Sequence, residues 1–243
     1  MTARMTFATA ARVLRQVRHD RRTIVLIVAL PCLLLGLIAW MFTGTPVLDR
    51  LGPTLLGIFP LTLMFLVTSV TMLRERLTGT LERLMTMPVG RADVVSGYAL
   101  AFGLVAAVQA VVLVFFTVGL LGMSVAGPLW AVILVAVLDA VLGTALGLAA
   151  SALARTEFQA VQMMPAVIFP QLIVGGLILP RDQMPRLLEL ISAVLPLTYG
   201  VDAMQELAKD ADVTAIWADV AVIVGFILVA VVVGATTLRR RTP

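Results

Sequence analysis

Residues 73–91 read LRERLTGTLERLMTMPVGR, the only long charged stretch between two apolar ones in the first two-thirds of the chain. Roughly 20 apolar residues stand on each side of it, enough in each case for a helix to cross the hydrocarbon core of a bilayer. Comparable runs recur along all 243 residues, which are 60% hydrophobic and 13% charged, with a mean hydropathy of +1.05. An ordinary soluble domain is about 25% charged. A soluble fold could not hide this much apolar surface, so the chain reads as one all-α polytopic membrane domain.

Six spans are expected, at about 24–42, 51–73, 98–123, 129–153, 161–179 and 216–238. The first could be taken for a signal peptide, but its basic lead is too long and no small-residue cleavage pattern follows, so it is expected to stay attached. Arg and Lys number fourteen in the segment before the first span, the second and fourth connections and the tail, against four in the other connections. The excess of positive charge marks the cytoplasmic side, and an even number of spans returns the chain to the side on which it began. Both termini are therefore expected in the cytoplasm, with residues 1–23 an interfacial helix, 24–238 the six-span domain and 239–243 a basic tail. The net charge of +4 follows from this topology; the arginines form no basic tract with interleaved aromatics, so no nucleic-acid partner is implied. Cys32 is the single cysteine and has no partner within the chain.

Ahead of the first span, Phe7, Ala11, Leu14 and Val17 recur at helical spacing with Arg12, Arg15, Arg18 and Arg22 off that face. This is the pattern of a helix lying in the headgroup layer; an unstructured positive flag is the plainer alternative. In the 73–91 segment, Leu77, Leu81, Leu84 and Met85 share one helical face, and Pro88 with Gly90 stops the helix. A mere linker needs no apolar stripe. The stripe calls for a groove on this protein or on a partner, or for the membrane surface.

The stretch RERLTGTLERLMTMPVGRADVVSGY resembles the cytoplasmic loop of the ABC-2 type permeases, the membrane subunits of ATP-binding-cassette exporters of the daunorubicin-resistance and multidrug kind. The matching residues are Arg74-Glu75-Arg76, then Gly79-Thr80-Leu81-Glu82, then Thr86-Met87-Pro88. LPRDQMPRLLELISAVLPLTYGVDAMQ, residues 179–205, is similar to that family's segment before its last span. Leu77 departs from the pattern, since many relatives carry an acidic residue there. The resemblance implies that the loop is a coupling helix seated in a groove of a cytoplasmic ATPase. Leu81, Leu84 and Met85 would supply its apolar contact, with Glu75, Arg76, Glu82 and Arg83 as the polar rim. It further implies two ATPase copies, a second permease that is either another copy or a homologue, and short re-entrant helices before the sixth span. The chain contains no GxxxxGK[ST] sequence and its only lysine is Lys209. ATP and Mg are accordingly expected in the partner subunit, with no cofactor bound by this chain.

Polar residues within the spans are the other candidates. Asp139 falls near the middle of the fourth span, where an ionisable group is a functional hypothesis by default. Gln109 and Gln171 fall at similar depth, which permits hydrogen bonds among the three. Either Asp139 glues helices together or it serves a substrate path or gate, with Gln109, Gln171 and the interfacial Tyr199 beside it. Gly143 and Gly147 form a GxxxG, which suits packing within the subunit or dimerisation equally. Leu187, Leu188, Ile191, Val194 and Leu195 suggest half-inserted helices closing the outer mouth. The acidic residues Asp202, Glu206, Asp210 and Asp212 read as a solvated face, without the spacing of a metal site.

Three classes of function meet these features. An ABC exporter permease needs no catalytic side chain. An ion-coupled secondary transporter using Asp139 is the alternative, although internal repeats and a second midplane ionisable group are missing from the sequence. An intramembrane enzyme is poorly served: the only histidine is His19, no H-E-x-x-H occurs, and Asp219 falls near the outer end of the last span. Spans built of Leu, Val, Ala, Met and Phe suit a hydrophobic or amphiphilic cargo, drug or lipid-like, and the family resemblance implies that it moves outward across a cell membrane. Seventeen arginines against one lysine hint at a GC-rich bacterial genome.

Overall fold

The computed structural model of the chain describes residues 3–80, 91–176 and 183–237. Helix α1 covers Ala3–His19 and α2 covers Arg21–Met41. Asp20 divides them: its carboxylate accepts from the Thr23 hydroxyl at 2.6 Å and the Thr23 N–H at 3.2 Å, capping α2. These two bonds, with the hydroxyl the larger influence, hold the Asp20 carboxyl below its ordinary range. α3 runs over Val47–Leu77, and α4 over Arg91–Val114, continuing as a π-helix through Phe115–Leu120. α5 is Leu129–Ser151, α6 Glu157–Val174, α7 Arg186–Ser192, α8 Pro196–Lys209 and α9 Ile216–Thr237. No strand occurs among the described residues.

Five of these helices, α2, α3, the α4 region from Ser96, α5 and α9, are long and apolar enough to cross a membrane. The expected fifth span, 161–179, differs. Its helix α6 is 18 residues long, begins earlier and carries Pro165, Pro170 and the polar Gln159, Gln162 and Gln171. It falls short of the other five in apolar length, and residues 177–179 lie outside the described residues. Its course still links opposite ends of the bundle, because Glu157 meets Arg74 at one end and Gln171 meets Leu197 toward the other. α7 and α8 meet at a bend of 98°, the geometry of a broken span or a re-entrant loop.

α3 is 31 residues long, about 46 Å at helical rise, so it outreaches a ~30 Å hydrocarbon core and carries Arg74, Glu75 and Arg76 beyond it. The helix stops where Gly79 adopts φ +71° and its N–H bonds the Arg76 carbonyl at 3.3 Å, a left-handed C-terminal cap that glycine adopts without strain.

α3 and α5 form the centre. Their most apolar windows are 56% and 67% buried, against 17% for α2 and for α9. The contact is close because Gly143 and Gly147 of α5 face the backbone carbonyls of Leu61 and Phe65 on α3. Lipid is as apolar as leucine, so helices associate here through close packing of small residues. The GxxxG is thus used within the chain. Around this pair pack α4, α8 and α9.

α1 is bolted to α4 rather than lying free. Its buried face is Ala10, Val13 and Val17, with Thr9 against Gly97. The protein-facing side is not the expected membrane-facing set: of Phe7, Ala11, Leu14 and Val17, the first two are exposed, Leu14 is half-buried and Val17 is buried. The helix carries apolar residues on two adjoining sides, and periodicity alone does not say which one meets protein.

A side chain at Gly143 would strike the Leu61 carbonyl. Gly143→Val is expected to destabilise the protein by about 1–3 kcal/mol or more, seen as a lower thermal midpoint and loss of the monodisperse peak in detergent. An unchanged midpoint would refute the close contact.

Candidate functional site

The candidate coupling residues fall into two sets. Glu75, Arg76, Gly79 and Thr80 are described; Leu81, Glu82, Arg83, Leu84, Met85 and Pro88 lie outside the described residues. Glu75 is buried and pairs with Arg12 of α1, Nη1 to Oε1 at 3.6 Å. Its expected place on the polar rim of a partner contact is therefore corrected: the side chain is buried and turned toward Arg12 of α1. Arg76 is half-buried, and no acceptor meets its Nε. Thr80 and Thr78 approach through their hydroxyls at 3.0 Å, beside the Gly79 cap.

At the same end, Arg74 donates twice to Glu157, at 3.0 and 2.9 Å, joining α3 to α6. Between α2, α3 and the start of α6 opens a cavity of about 300 Å³. Its wall includes Leu30, Leu66 and Val70, while Asp20, Thr23 and Arg74 stand at its polar rim. This combination suits a molecule with an apolar body and a polar head.

Deeper in the bundle, the expected network of Asp139, Gln109 and Gln171 does not form. Gln171 accepts from the Leu197 N–H at 3.2 Å and donates to the Val167 carbonyl at 2.9 Å. Its work is on α8, whose first turn is buried in the protein with N–H groups that need a partner there. Pro196 has no N–H to satisfy, and Gln171 supplies Leu197. Tyr199 has a parallel role, its hydroxyl donating to the Ala193 carbonyl at 2.7 Å across the α7–α8 bend. Both residues hold the bend together.

Asp139 is fully buried, and neither of its oxygens has a hydrogen-bond partner in the described structure. Its carboxylate is pressed against Gly200 of α8, where any side chain would overlap it, and lies 3.2 Å from where a Cβ on Gly57 of α3 would stand. Gln109 is likewise buried and unpartnered. Sequence reasoning missed Gly57 and Gly200, although Gly200 closes the Pro-Leu-Thr-Tyr turn already singled out. It also missed Arg12, counted only as one of many positive charges, and Tyr98, taken only as the start of a span. Also missed was the bond from Gln205 Nε2 to the Thr54 hydroxyl at 3.1 Å, which fastens α8 to α3. Among the described residues no group of three or more His, Cys, Asp or Glu side chains could hold a metal ion.

A bundle of apolar helices, a sharply bent helix pair and a 31-residue second span define an all-α polytopic membrane protein. The family model of the ABC-2 type transporter matches residues 5–208, and the chain belongs to that family. It is 29% identical over 171 residues to the linearmycin resistance permease protein LnrN of Bacillus subtilis (strain 168), covering 70% of this chain and 44% of that protein. It is 28% identical over 144 residues to the inner membrane transport permease YhhJ of Escherichia coli (strain K12), covering 59% and 38%. With the ABC transporter G family member 20 of Dictyostelium discoideum it shares 29% identity over 160 residues, 66% of this chain and 22% of that protein. The matched region spans less than half the length of each of these relatives.

The bonds from Arg74, more than its charge, hold the Glu157 carboxyl below its ordinary value. Stability from a depressed carboxyl is present above its unfolded value and is lost as pH falls through the folded one. Both side chains are about half exposed, at 56% and 45%, which limits the pair to about 1 kcal/mol or less. Glu157→Gln is expected to lower the thermal midpoint slightly at neutral pH, with the difference shrinking as pH falls below the ordinary glutamate value of about 4.3 and vanishing below the lower folded value. Gly200→Val, by contrast, is expected to abolish the folded protein in detergent.

Proposed function

We propose that this chain is the membrane-spanning permease subunit of an ATP-driven ABC exporter that moves hydrophobic or amphiphilic compounds out of the cytoplasm or the inner leaflet. Family membership supports the class, and the cavity between α2, α3 and α6 carries the cargo reading. Its polar rim stands at the arginine-rich end, which the positive-inside rule assigns to the cytoplasm. A molecule partitioned into the inner leaflet would meet the apolar wall from the side and leave its head at Asp20, Thr23 and Arg74. That one relative bears the name of a linearmycin resistance permease supports export of a harmful compound.

Hydrolysis belongs to a separate cytoplasmic ATPase, present in two copies and holding ATP and Mg. The permease acts with a second copy of itself or a homologous permease in a bacterial cell membrane, with both termini in the cytoplasm. In this reading the segment around Leu81, Leu84 and Met85 is the coupling helix, seated in the ATPase with Glu82 and Arg83 at its rim. α7 and α8 close the outer mouth, and Asp139 sits behind α8 where a gate would move. Its unpartnered carboxylate at mid-depth is the one feature favouring an ion-coupled transporter instead.

Reconstitution into vesicles with the cytoplasmic ATPase that co-purifies with this chain tests the reading. ATP-dependent movement of a fluorescent amphiphile is expected, and transport driven by an ion gradient with no ATPase present would reverse the assignment in favour of Asp139. Leu81→Asp or Glu82→Lys is expected to abolish stimulation of ATP hydrolysis by the permease while the protein remains folded. Normal transport by an intact complex of either variant would overturn the coupling assignment. Filling the cavity with Leu66→Trp is expected to raise the KM for the amphiphile severalfold with little change in ATPase binding.

A further inference from the structure

We propose that Arg12, Glu75 and Tyr98 are positioning residues: a buried polar clamp that makes α1 and both legs of the 81–90 loop move as one body. The inference rests on the coupling role given to that loop. The loop hangs from two helices, α3 ending at Leu77 and α4 beginning at Arg91. A push on such a loop can be absorbed by splaying its legs, in which case nothing reaches the membrane. Glu75 stands in the last turn of α3, and Tyr98 about two turns into α4. Both are buried. Arg12 of α1 bridges them: its Nη1 faces Glu75 Oε1 at 3.6 Å, its Nη2 donates to the Tyr98 hydroxyl, and its guanidinium lies 5.6 Å from the Tyr98 ring centroid.

Three features argue against an incidental surface pair. The Glu75 side chain is only 5% exposed, against 31% for Arg12, so removing the Arg12 guanidinium takes the cation away from a buried carboxylate. The three groups come from three separate helices, so no one helix can shift without breaking a contact. Around them the packing is tight: Thr9 on α1 meets Gly97 on α4, where a Cβ would collide with it, and Val13 is buried beside them. The contrast with Arg74 and Glu157 is informative. That pair is half exposed and ties α3 to α6, outside the loop's legs, so it is free to part without cost to the clamp.

A rigid unit of this kind gives α1 a mechanical role. A displacement of the loop by the ATPase would carry α1 with it, and through the Asp20 cap would pull on the start of α2, at the rim of the cavity. Loop, legs and cargo rim thereby share one lever.

The test is the ratio of amphiphile transported to ATP hydrolysed, in vesicles containing the permease with its ATPase. Tyr98→Phe removes only the hydroxyl and keeps the ring, and Glu75→Gln removes only the charge. For each, co-purification of the ATPase is expected to persist while the ratio falls about tenfold, the scale of a coupling energy. The exchange Arg12→Glu with Glu75→Arg is expected to recover part of it. A proportional fall in hydrolysis and transport, with the ratio unchanged, would overturn the clamp. Because the polar variants could misfold, a second measurement uses spin labels at Arg15 and Leu77, both exposed, in a Cys32→Ser background. Their separation is expected to stay fixed between nucleotide-free and nucleotide-trapped complexes, and a change of several ångströms in the otherwise unaltered protein would refute a rigid unit. Should that protein show no ATP-driven transport at all, the failure would lie with the proposed function and not with the clamp.

Discussion

The structure depends on one close approach, that of α5 to α3. In water the burial of apolar side chains drives helices together, but in a bilayer the unpartnered state is already apolar. What remains is contact between surfaces that fit, and the backbone of α5 at Gly143 and Gly147 comes within reach of the Leu61 and Phe65 carbonyls because no side chain intervenes. This sets α5 at the centre of the bundle and leaves α2 and α9 on its margin, largely facing lipid. Asp139, four residues before Gly143 on α5, is carried by the same contact to Gly57 of α3.

A second constraint follows from the lack of water at membrane depth. A helix that starts halfway across a bilayer presents N–H groups with no solvent to receive them. The bend between α7 and α8 meets this with a proline, a glutamine from α6 and a tyrosine hydroxyl, each satisfying or removing one backbone group. Gln171 and Tyr199 thus have structural duties that account for their polarity. Asp139 and Gln109 have no such duty among the described residues.

The end of the molecule that carries the arginines is organised differently. There, beyond the hydrocarbon, ion pairs and hydrogen bonds do the joining: Asp20 caps α2, Arg74 holds Glu157, and Arg12 gathers Glu75 and Tyr98. The exposed pair and the buried one differ in what their loss would cost. Water can solvate Arg74 and Glu157 separately, whereas Glu75 without Arg12 would be a buried carboxylate deprived of its cation. The buried set lies at the root of the loop, where relative movement of helices bears most on coupling.

Sequence by itself determined the all-α membrane class, five of the spans to within a few residues at most ends and the family to which the chain belongs. These follow from length and composition in short windows, where the thickness of a bilayer imposes one solution. It did not determine the face by which α1 packs, since Phe7 and Val13 are equally apolar and only the position of α4 distinguishes them. Nor did it separate Gln171 from Gln109, two glutamines at like depth, one spent on the N–H of Leu197 and the other left without a partner. The inward turn of Glu75 and the meeting of Asp139 with Gly57 and Gly200 also belonged to tertiary structure, because contacts between residues 60 or more positions apart leave no periodic trace in the chain.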